Sequence, residues 1–420
     1  MDGLDTSAAP VVCGPLLGES PVAARPLKLQ IFDQVRAAGP VSRALVAKTL
    51  GISPGTVSTL TAELIADGLL REELVSRLPG DAVRGRPPVG LVVCPQAFIV
   101  AGIKLSSRER TGILVDFAGN QLAERRTPVG ARNGDPLHQI DAIGDMIDAM
   151  LAEIGRTRRD LGAVGLGLPG FVHHHTGQVH WSPLLDGPQI DLASLATDRL
   201  GVAVTIDNDA NLVALAESWF GKGRRTADFA VVTLEEGVGV GTVLGHRLFR
   251  GANGLGPELG HIKVQLDGAL CRCGQRGCLE AYLADYALAR EASAALRLDG
   301  EGTAFPELIE EMQKAAGQGN SAARSVFARA SRYLAAGLAT VVNLFDPSLL
   351  ILSGGRVRYD WLDADALSDQ MRGFVIDTGR DLPPIIVHEW GDLLWARGAA
   401  ALALAYVTDA RLGVPSEAVA

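Results

Sequence analysis

The sequence predicts an α/β fold preceded by an N-terminal winged helix-turn-helix, and two patterns carry that prediction. From Val93 onward, short apolar runs such as FIVAGIKL and TGILVDF alternate with amphipathic stretches such as residues 136–155. This alternation is typical of layered α/β domains. Before it, from Arg25, apolar residues follow a helical period that is broken by short turns containing Gly. Short helices joined by such a turn are typical of a helix-turn-helix.

Three helices are predicted in the N-terminal region, and two of their starts follow from capping chemistry. Ser42 precedes RALVAKTL, and Ser53 precedes a helix that begins with Pro. A Ser side chain at the N-cap accepts a hydrogen bond from an unpaired backbone N–H, and Pro is favoured at the first helical position. Residues 54–67 are therefore the predicted groove-entering helix. LLREELV and VGLVVC are the predicted wing strands, with the domain at 25–80 and a linker over 81–92.

Positive charge in this region favours contact with DNA phosphates. Residues 25–90 hold nine Lys and Arg against six Asp and Glu, whereas the whole chain has a net charge of −9. We expect Arg43 to contact a phosphate and the exposed hydroxyls of Thr56, Ser58 and Thr59 to face the bases. A hydroxyl discriminates bases less sharply than a bidentate Arg. An ordinary helical hairpin without a partner is the alternative.

The composition argues against several classes of protein. A net charge of −9 argues against nucleic-acid binding over the whole surface, and no apolar run is long enough for a membrane span. A basic segment followed by an apolar stretch, which would mark a secretory signal, is not seen at the N-terminus. Five cysteines, an odd number, fit a reducing cytoplasm better than a disulfide framework. Residues 1–24, rich in Pro, Gly, Ser and Ala, are predicted to be disordered.

A cluster of cysteines predicts a metal site. His261 is followed ten residues later by Cys271, and Cys273 and Cys278 come soon after it. Three thiolates and one imidazole are the donor set of a closed tetrahedral Zn²⁺ site. Because four protein ligands leave no position for a reactive water, we predict one structural zinc ion per chain. Three unrelated thiols and a surface histidine are the alternative.

Two glycines and two carboxylates accompany this cluster. Gly274 and Gly277 allow the tight turn that brings the sulfurs together. Glu258 and Glu280 lie just outside the four ligands on either side. A metal that fixes the loop also orients both carboxylates, and such a site favours a ligand rich in hydroxyl groups.

These segments resemble a known family. GANGLGPELGHIKV followed by CRCGQRGCLE is similar to the signature of the ROK family of repressors, open reading frames and sugar kinases. GLGLPGFV, DNDANLVALAE, GVGVGTVLGHRLFRGANG and VNLFDPSLLILSGG resemble further family segments in the same order. The resemblance covers roughly residues 25–410 and includes RGRP at 84–87. In the family this is a linker, so Arg84 and Arg86 are expected to enter a narrow minor groove.

The resemblance implies an actin-like fold of the sugar kinase/Hsp70 type, with two α/β lobes around a cleft. The expected lobes are residues 93–207 with about 395–415, and residues 208–394 with the zinc loop. The resemblance also implies a sugar site. Asp209 matches the family's catalytic base, and the matching sugar contacts are Asn208, Glu258, His261 and Glu280.

Neither phosphate loop of the family's kinases is kept. The first reads roughly Asp-x-Gly-Gly-Thr-Lys in the kinases and Lys-Leu-Ser-Ser-Arg-Glu from Lys104 here. The second reads Leu-Gly-Thr-Gly in the kinases and Leu-Glu-Glu-Gly from Leu234 here. Side chains in place of glycines block the close approach of a phosphate, and the two carboxylates repel it. We therefore expect no kinase activity, with Asp209 as a vestigial base.

The combined expectation is a sugar-responsive, DNA-binding transcriptional repressor of carbohydrate uptake or catabolism genes. Its expected partners are operator DNA, a sugar or phosphosugar effector and a second copy, in a cytoplasmic homodimer or homotetramer. An active ATP-dependent sugar kinase with an appended DNA-binding domain is one alternative. A repressor that ignores sugars and is controlled by a protein partner is another. The HHH stretch at 173–175 is expected to be a surface loop and not a metal site.

Overall fold

A computed structural model describes residues 12–16, 25–74, 89–130, 134–297, 305–354, 362–388, 391 and 393–412. The described residues form two compact units. The first lies within Met1–Thr226 and Trp395–Ala420, and the second lies within Ala227–Leu394. Among the described helices, none combines the length and the apolar character needed to span a bilayer.

The first unit begins with three helices and a two-stranded sheet. They are α1 (Leu27–Ala38), α2 (Arg43–Leu50), α3 (Pro54–Ala66), β1 (Leu70–Leu74) and β2 (Val89–Val93). Ser42 accepts a hydrogen bond from Leu45 N at 3.2 Å, and Ser53 accepts one from Thr56 N at 3.1 Å. Both predicted N-caps are therefore confirmed. β1 and β2 pair in antiparallel fashion, as predicted for a wing, and residues 75–88 between them lie outside the described residues.

Residues 12–16 correct the expectation of disorder over residues 1–24. The Cys13 side chain is completely buried. Gly14 N donates a hydrogen bond to Trp219 O at 2.9 Å, and Leu16 N donates one to Arg224 O at 2.8 Å. The prediction is wrong for this short stretch because backbone bonds and a buried side chain compensate the entropy of ordering it. The rest of residues 1–24, apart from the stretch 12–16, lies outside the described residues.

A five-stranded sheet and three helices form the main body of the first unit. The elements are β3 (Ile99–Leu105), β4 (Glu109–Asp116), β5 (Gln121–Pro128), α4 (Pro136–Glu153), β6 (Leu161–Leu168), β7 (Phe171–His173), β8 (Gln178–Trp181), β9 (Ile190–Asp191), α5 (Leu192–Leu200), β10 (Val204–Asn208) and α6 (Asp209–Phe220). The large sheet has the order β10-β6-β3-β4-β5, and β7, β8 and β9 form a separate small sheet. β3, β4 and β5 are antiparallel, whereas β6 and β10 add in parallel.

The second unit also contains a five-stranded sheet. Its elements are β11 (Phe229–Leu234), β12 (Val238–Leu244), β13 (Arg247–Phe249), α7 (Glu280–Leu283), α8 (Asp285–Leu296), α9 (Phe305–Gly317), α10 (Ser321–Phe345), β14 (Leu349–Ser353), α11 (Ala364–Met371) and β15 (Ile385–Val387). The strand order is β13-β12-β11-β14-β15. β11, β12 and β13 are antiparallel, and β14 and β15 add in parallel.

The two sheets share one topology. In each, an antiparallel meander of three strands is followed by two strands that add in parallel on the side of its first strand. This repeat of one unit within the chain agrees with the expected actin-like duplication, which the hydrophobic periodicity alone does not reveal.

The last described helix, α12 (Leu394–Arg411), returns the chain to the first unit. A Cβ atom at Gly102 of β3 would lie 2.2 Å from Ala396 O, and one at Gly165 of β6 would lie 1.9 Å from Ala399 O. The two glycines therefore let α12 lie directly against the sheet. Leu212 of α6 packs with Ala399, so α6 belongs to this unit. The predicted lobe boundary at 207/208 is wrong, because the first unit continues to Thr226.

Candidate functional site

The four predicted metal ligands lie together in the second unit. The ligand atoms of His261, Cys271, Cys273 and Cys278 all lie within 4.8 Å of one another. Cys271 Sγ is 3.8 Å from His261 Nδ1, and Cys273 Sγ is 3.7 Å from Cys278 Sγ. Cys271 and Cys278 are buried, whereas Cys273 is exposed. Three thiols and one imidazole thus converge on one point, where they can hold a metal ion.

A close backbone approach positions the last of these cysteines. Gly277 has a φ of +74°, and a Cβ atom there would lie only 1.7 Å from Gln265 O. Gly277 O accepts a hydrogen bond from Val264 N at 2.9 Å. The adjacent pair Lys263 and Cys278 forms an antiparallel bridge. The chain near His261 is therefore fastened to the chain near Cys278, and the fit at Gly277 depends on the absence of a side chain.

Two of the predicted sugar contacts reach the same sulfur atom. Cys271 Sγ lies 3.6 Å from Glu280 Oε1 as well as 3.8 Å from His261 Nδ1. Glu280 Oε2 also accepts a hydrogen bond from Val238 N at 3.4 Å. Glu258 precedes a short 3₁₀ turn in which its carbonyl oxygen accepts a bond from His261 N at 3.1 Å. The structure therefore brings His261 and Glu280 together, with Glu258 on the turn that leads into the metal ligand.

Two polar neighbours of the sulfurs were not predicted. Lys263 Nζ lies 2.8 Å from Cys278 Sγ, and the Tyr286 hydroxyl donates to Cys271 Sγ at 3.6 Å. Burial raises the pKa of the Cys271 thiol and that of Tyr286. A bound cation acts in the opposite direction on the thiol, because it favours the deprotonated ligand.

In the first unit, Asn208 and Asp209 lie at the start of α6. The Asn208 side chain accepts a hydrogen bond from Asn211 N at 2.8 Å and so caps the helix. Asp207, completely buried, accepts bonds at 2.8 Å from Asn208 N and from Asn211 Nδ2. Asp209 Oδ1 accepts a bond from Ala210 N at 2.9 Å. The buried Asp207 thus fixes the turn that presents the carboxylate of Asp209.

His174 differs from the expected surface loop. Its ring Nδ1 lies 3.2 Å from Ile206 O and 3.5 Å from Asp207 Oδ2, and its side chain is only 11% exposed. The interpretation of 173–175 as a surface loop is therefore wrong for this residue. The sequence gives no signal for the contact, because His174 lies in the turn after β7 whereas Ile206 and Asp207 lie on β10.

The first altered phosphate loop forms a tight hairpin turn. Lys104 Nζ lies 3.4 Å from the centre of the Trp395 ring, in a cation–π contact. Ser106 Oγ donates to Glu109 O at 2.8 Å and accepts from Glu109 N at 3.2 Å. The segment therefore carries side chains, one of which bonds to the backbone of the turn, in place of the open glycine backbone that a phosphate requires.

The second altered loop, residues 234–237, is also a compact turn closed by backbone hydrogen bonds. Glu235 N donates to Gly237 O at 3.0 Å, and Glu235 O accepts from Asp285 N at 3.0 Å. A Cβ atom at Gly354 would lie 2.9 Å from Leu234 O and 3.2 Å from Glu235 Cγ. Carboxylates of Glu235 and Glu236 thus stand on a compact turn where the family's kinases carry Gly and Thr.

The predicted DNA-contacting hydroxyls fall into two groups on α3. Thr56 Oγ1 lies 2.8 Å from Ser53 Oγ, and Ser58 Oγ donates to Pro54 O at 2.9 Å. Thr59 is exposed and has no such internal bond among the described residues. Of the three, Thr59 is therefore the hydroxyl most open to a partner.

The predicted phosphate contact, Arg43, is bonded within its own domain. Its guanidinium donates to Glu72 Oε1 at 2.7 Å and to Thr61 Oγ1 at 3.0 Å. A DNA phosphate at this position would have to compete with the Glu72 carboxylate. Arg84 and Arg86 lie outside the described residues.

Several known proteins are similar to this chain over most of its length. The ROK family model matches residues 100–406. The DNA-binding transcriptional dual regulator NagC of Escherichia coli K12 is 29% identical over 365 residues, which is 86% of this chain and 87% of NagC. The glucokinase of Streptomyces coelicolor is 31% identical over 318 residues, which is 73% of this chain and 97% of the glucokinase. The crystal structure of a ROK family transcriptional regulator, a homolog of the E. coli MLC protein, superposes with a TM-score of 0.75 at 24% identity and covers 93% of this chain and 98% of its own.

Proposed function

This chain belongs to the ROK family, and on that premise we propose that it is a sugar-responsive transcriptional repressor. One observation carries the proposal. The similarity to the glucokinase covers nearly all of that enzyme but only 73% of this chain, whereas NagC matches 86% of it. The part beyond a kinase-sized domain begins with α1, α2 and α3, and the short turn that joins α2 to α3 supports a helix-turn-helix there. A DNA operator is therefore the partner that the additional segment favours.

The loss of phosphate handling supports a regulator over a kinase. Phosphoryl transfer depends on backbone amides and cations that cradle the triphosphate. Here Lys104 lies over Trp395, and the Ser106 hydroxyl closes the turn that follows. The second loop places Glu235 and Glu236 where phosphate oxygens would come. Carboxylates at that position would repel a nucleotide.

A zinc ion is the metal that the four ligands fit. In a tetrahedral site with Zn–S bonds of about 2.3 Å, two sulfurs are about 3.8 Å apart. The observed Cys273–Cys278 sulfur distance of 3.7 Å agrees with this value. When bound, the ion supplies structural cross-linking of the loop. Its four protein ligands are His261, Cys271, Cys273 and Cys278, one ion per chain.

The sugar is proposed to contact residues whose carboxylates and ring nitrogen suit hydroxyl groups. Glu280 and His261 meet at one sulfur of the metal cluster, and Glu258 lies on the turn that leads into His261. In the first unit, Asn208 and Asp209 are held at the start of α6 by the buried Asp207. Carboxylates accept hydrogen bonds from hydroxyls, so these side chains can recognise the arrangement of hydroxyl groups on a sugar.

A sugar changes operator affinity only if it binds two conformations of the protein unequally. Coupling of the usual ~1–3 kcal/mol changes affinity by roughly 5- to 150-fold. We propose a cytoplasmic homodimer or homotetramer as the binding form, because two identical helix-turn-helix segments read a palindromic operator.

Fluorescence anisotropy with an operator selected from random DNA tests the proposal. A panel of free and phosphorylated hexoses, pentoses and amino sugars is added, and the operator dissociation constant is measured for each. We expect at least one sugar to change it, and Glu280→Gln to remove the change while operator binding without sugar persists. A chain that binds no DNA at low salt, or that binds it identically with every sugar, contradicts the proposal.

An active sugar kinase is the second candidate, because Asp209 is retained and the similarity covers 97% of the glucokinase. A coupled assay of ADP formation with the same sugars separates the two candidates. Sugar-dependent turnover that is lost in Asp209→Asn would establish the kinase.

A further inference from the structure

A polar cavity lies in the first unit, and none of the residues assigned above lines it. Its volume is about 890 Å³. The walls come from the segment after β2, from the turn between α4 and β6, and from the last two turns of α12. A volume of this size is in the range of small-molecule sites.

Three arginines line this cavity in a chain whose net charge is −9. Arg156 lies 3.7 Å from the Asp160 carboxylate, at the outer limit of an ion pair. Among the described residues, Arg159 and Arg411 form no ion pair at all. Arg411 instead lies with its guanidinium 4.8 Å from the centre of the Phe98 ring.

The two carboxylates in the walls are already engaged. Asp116 Oδ1 accepts hydrogen bonds at 2.9 Å from Ala118 N and from Asn120 N, and Oδ2 accepts one at 2.7 Å from Asn120 Nδ2. Asp160 Oδ2 accepts bonds from Thr157 N at 2.8 Å and from Thr157 Oγ1 at 3.2 Å. Among the described residues, neither carboxylate lies within ion-pair distance of Arg159 or Arg411.

We propose that this cavity binds a small metabolite that carries a phosphate monoester. Guanidinium groups form paired, charge-assisted hydrogen bonds with phosphate oxygens. Phe98 and the 41% exposed Tyr406 add aromatic surface for the remainder of the molecule. A phosphosugar and a nucleotide share this chemistry. The proposal is independent of the sugar site.

The cavity adjoins both connections of the helix-turn-helix segment to the rest of the first unit. Within α12, Thr408 accepts a bond from Arg36 of α1 at 2.8 Å, and Asp409 accepts one from Arg25 at 3.1 Å. The neighbouring residues of the same helix, including Arg411, line the cavity. The other wall begins at Pro95, two residues after β2 ends. A bound phosphate compound therefore touches the elements that hold the DNA-binding segment.

Isothermal titration of the full chain tests the proposal with three probes: inorganic phosphate, AMP and glucose 6-phosphate. Adenosine and glucose serve as uncharged counterparts. We expect saturable binding of at least one phosphate probe, about tenfold or more weaker in Arg159→Gln and in Arg411→Gln. Arg199→Gln, which removes an exposed guanidinium paired with Asp141 elsewhere in the unit, is the control and should bind as the wild type does.

Three results would overturn the proposal. They are no binding of any phosphate probe, equal binding of a phosphate probe and its uncharged counterpart, and unchanged binding in the double variant Arg159→Gln/Arg411→Gln. A double variant that loses operator affinity, in a protein that binds none of the probes, would assign the arginines to DNA phosphates instead. The response of operator binding to free sugars is measured separately in the double variant, so failure here is distinct from failure of the proposed function.

Discussion

Replacing Gly277 with Ala should weaken metal binding, and the neighbouring Gly274 provides a matched control. Both glycines have a positive φ, +74° for Gly277 and +85° for Gly274, so alanine at either position adds about 1–2 kcal/mol of backbone strain. Only at Gly277 would the new Cβ also meet another atom, Gln265 O at 1.7 Å. At Gly274 nothing lies within 4 Å.

The loop can relieve this overlap only by moving Gly277 away from Gln265, which displaces Cys278. Overpacking of this kind costs about 1–3 kcal/mol, which corresponds to roughly 5- to 150-fold weaker metal binding. Competition with a colorimetric zinc chelator measures the dissociation constant for wild type and both variants. Equal zinc affinity in Gly277→Ala and Gly274→Ala would refute the role of this close approach in positioning Cys278.

Three further predictions concern stability, each measured by urea unfolding. Arg36→Met should destabilise the protein by about 3 kcal/mol, since Arg36 is buried and bonded to Asp33 and Thr408. The control is Lys28→Met, which removes one partner of an exposed ion pair and should change the free energy of unfolding by less than about 1 kcal/mol. Equal effects of the two substitutions would contradict the reasoning. Gly102→Ala should destabilise by about 3 kcal/mol because its Cβ would overlap α12, whereas Gly317→Ala, with open space around it, should be neutral or stabilising. Burial lowers the pKa of His246, so the unfolded state binds its proton first, and stability from this residue is lost as pH falls below the usual value of 6.5. His246→Asn should remove this part of the pH dependence of stability, which amounts to less than about 1 kcal/mol because the ring is only half-buried. A variant whose stability varies with pH as the wild type's does would count against this prediction.

Sequence patterns predict the local features well. The caps at Ser42 and Ser53 are confirmed because a helix start depends on residues within one turn. The convergence of the three cysteines with His261 follows from spacing and glycines in a short loop.

Features that depend on distant partners were not predictable. α6 joins the first unit through contacts with α12, which lies almost at the other end of the chain. Lys104 lies over Trp395, and His174, in the turn after β7, meets Asp207 on β10. The stretch around Cys13 is held by backbone bonds from Gly14 to Trp219 and from Leu16 to Arg224, which no pattern within residues 1–24 reveals.

ADP formation in the presence of the sugar that shifts operator affinity tests the central claim most directly. The claim is that this chain reads a carbohydrate with the residues around the metal loop while its turns at Lys104 and Glu235 no longer accept a triphosphate. We predict that the effector sugar changes operator binding and that ATP consumption stays at the level of a sugar-free control. Sugar-dependent ADP formation by the wild type that disappears in Asp209→Asn would contradict it.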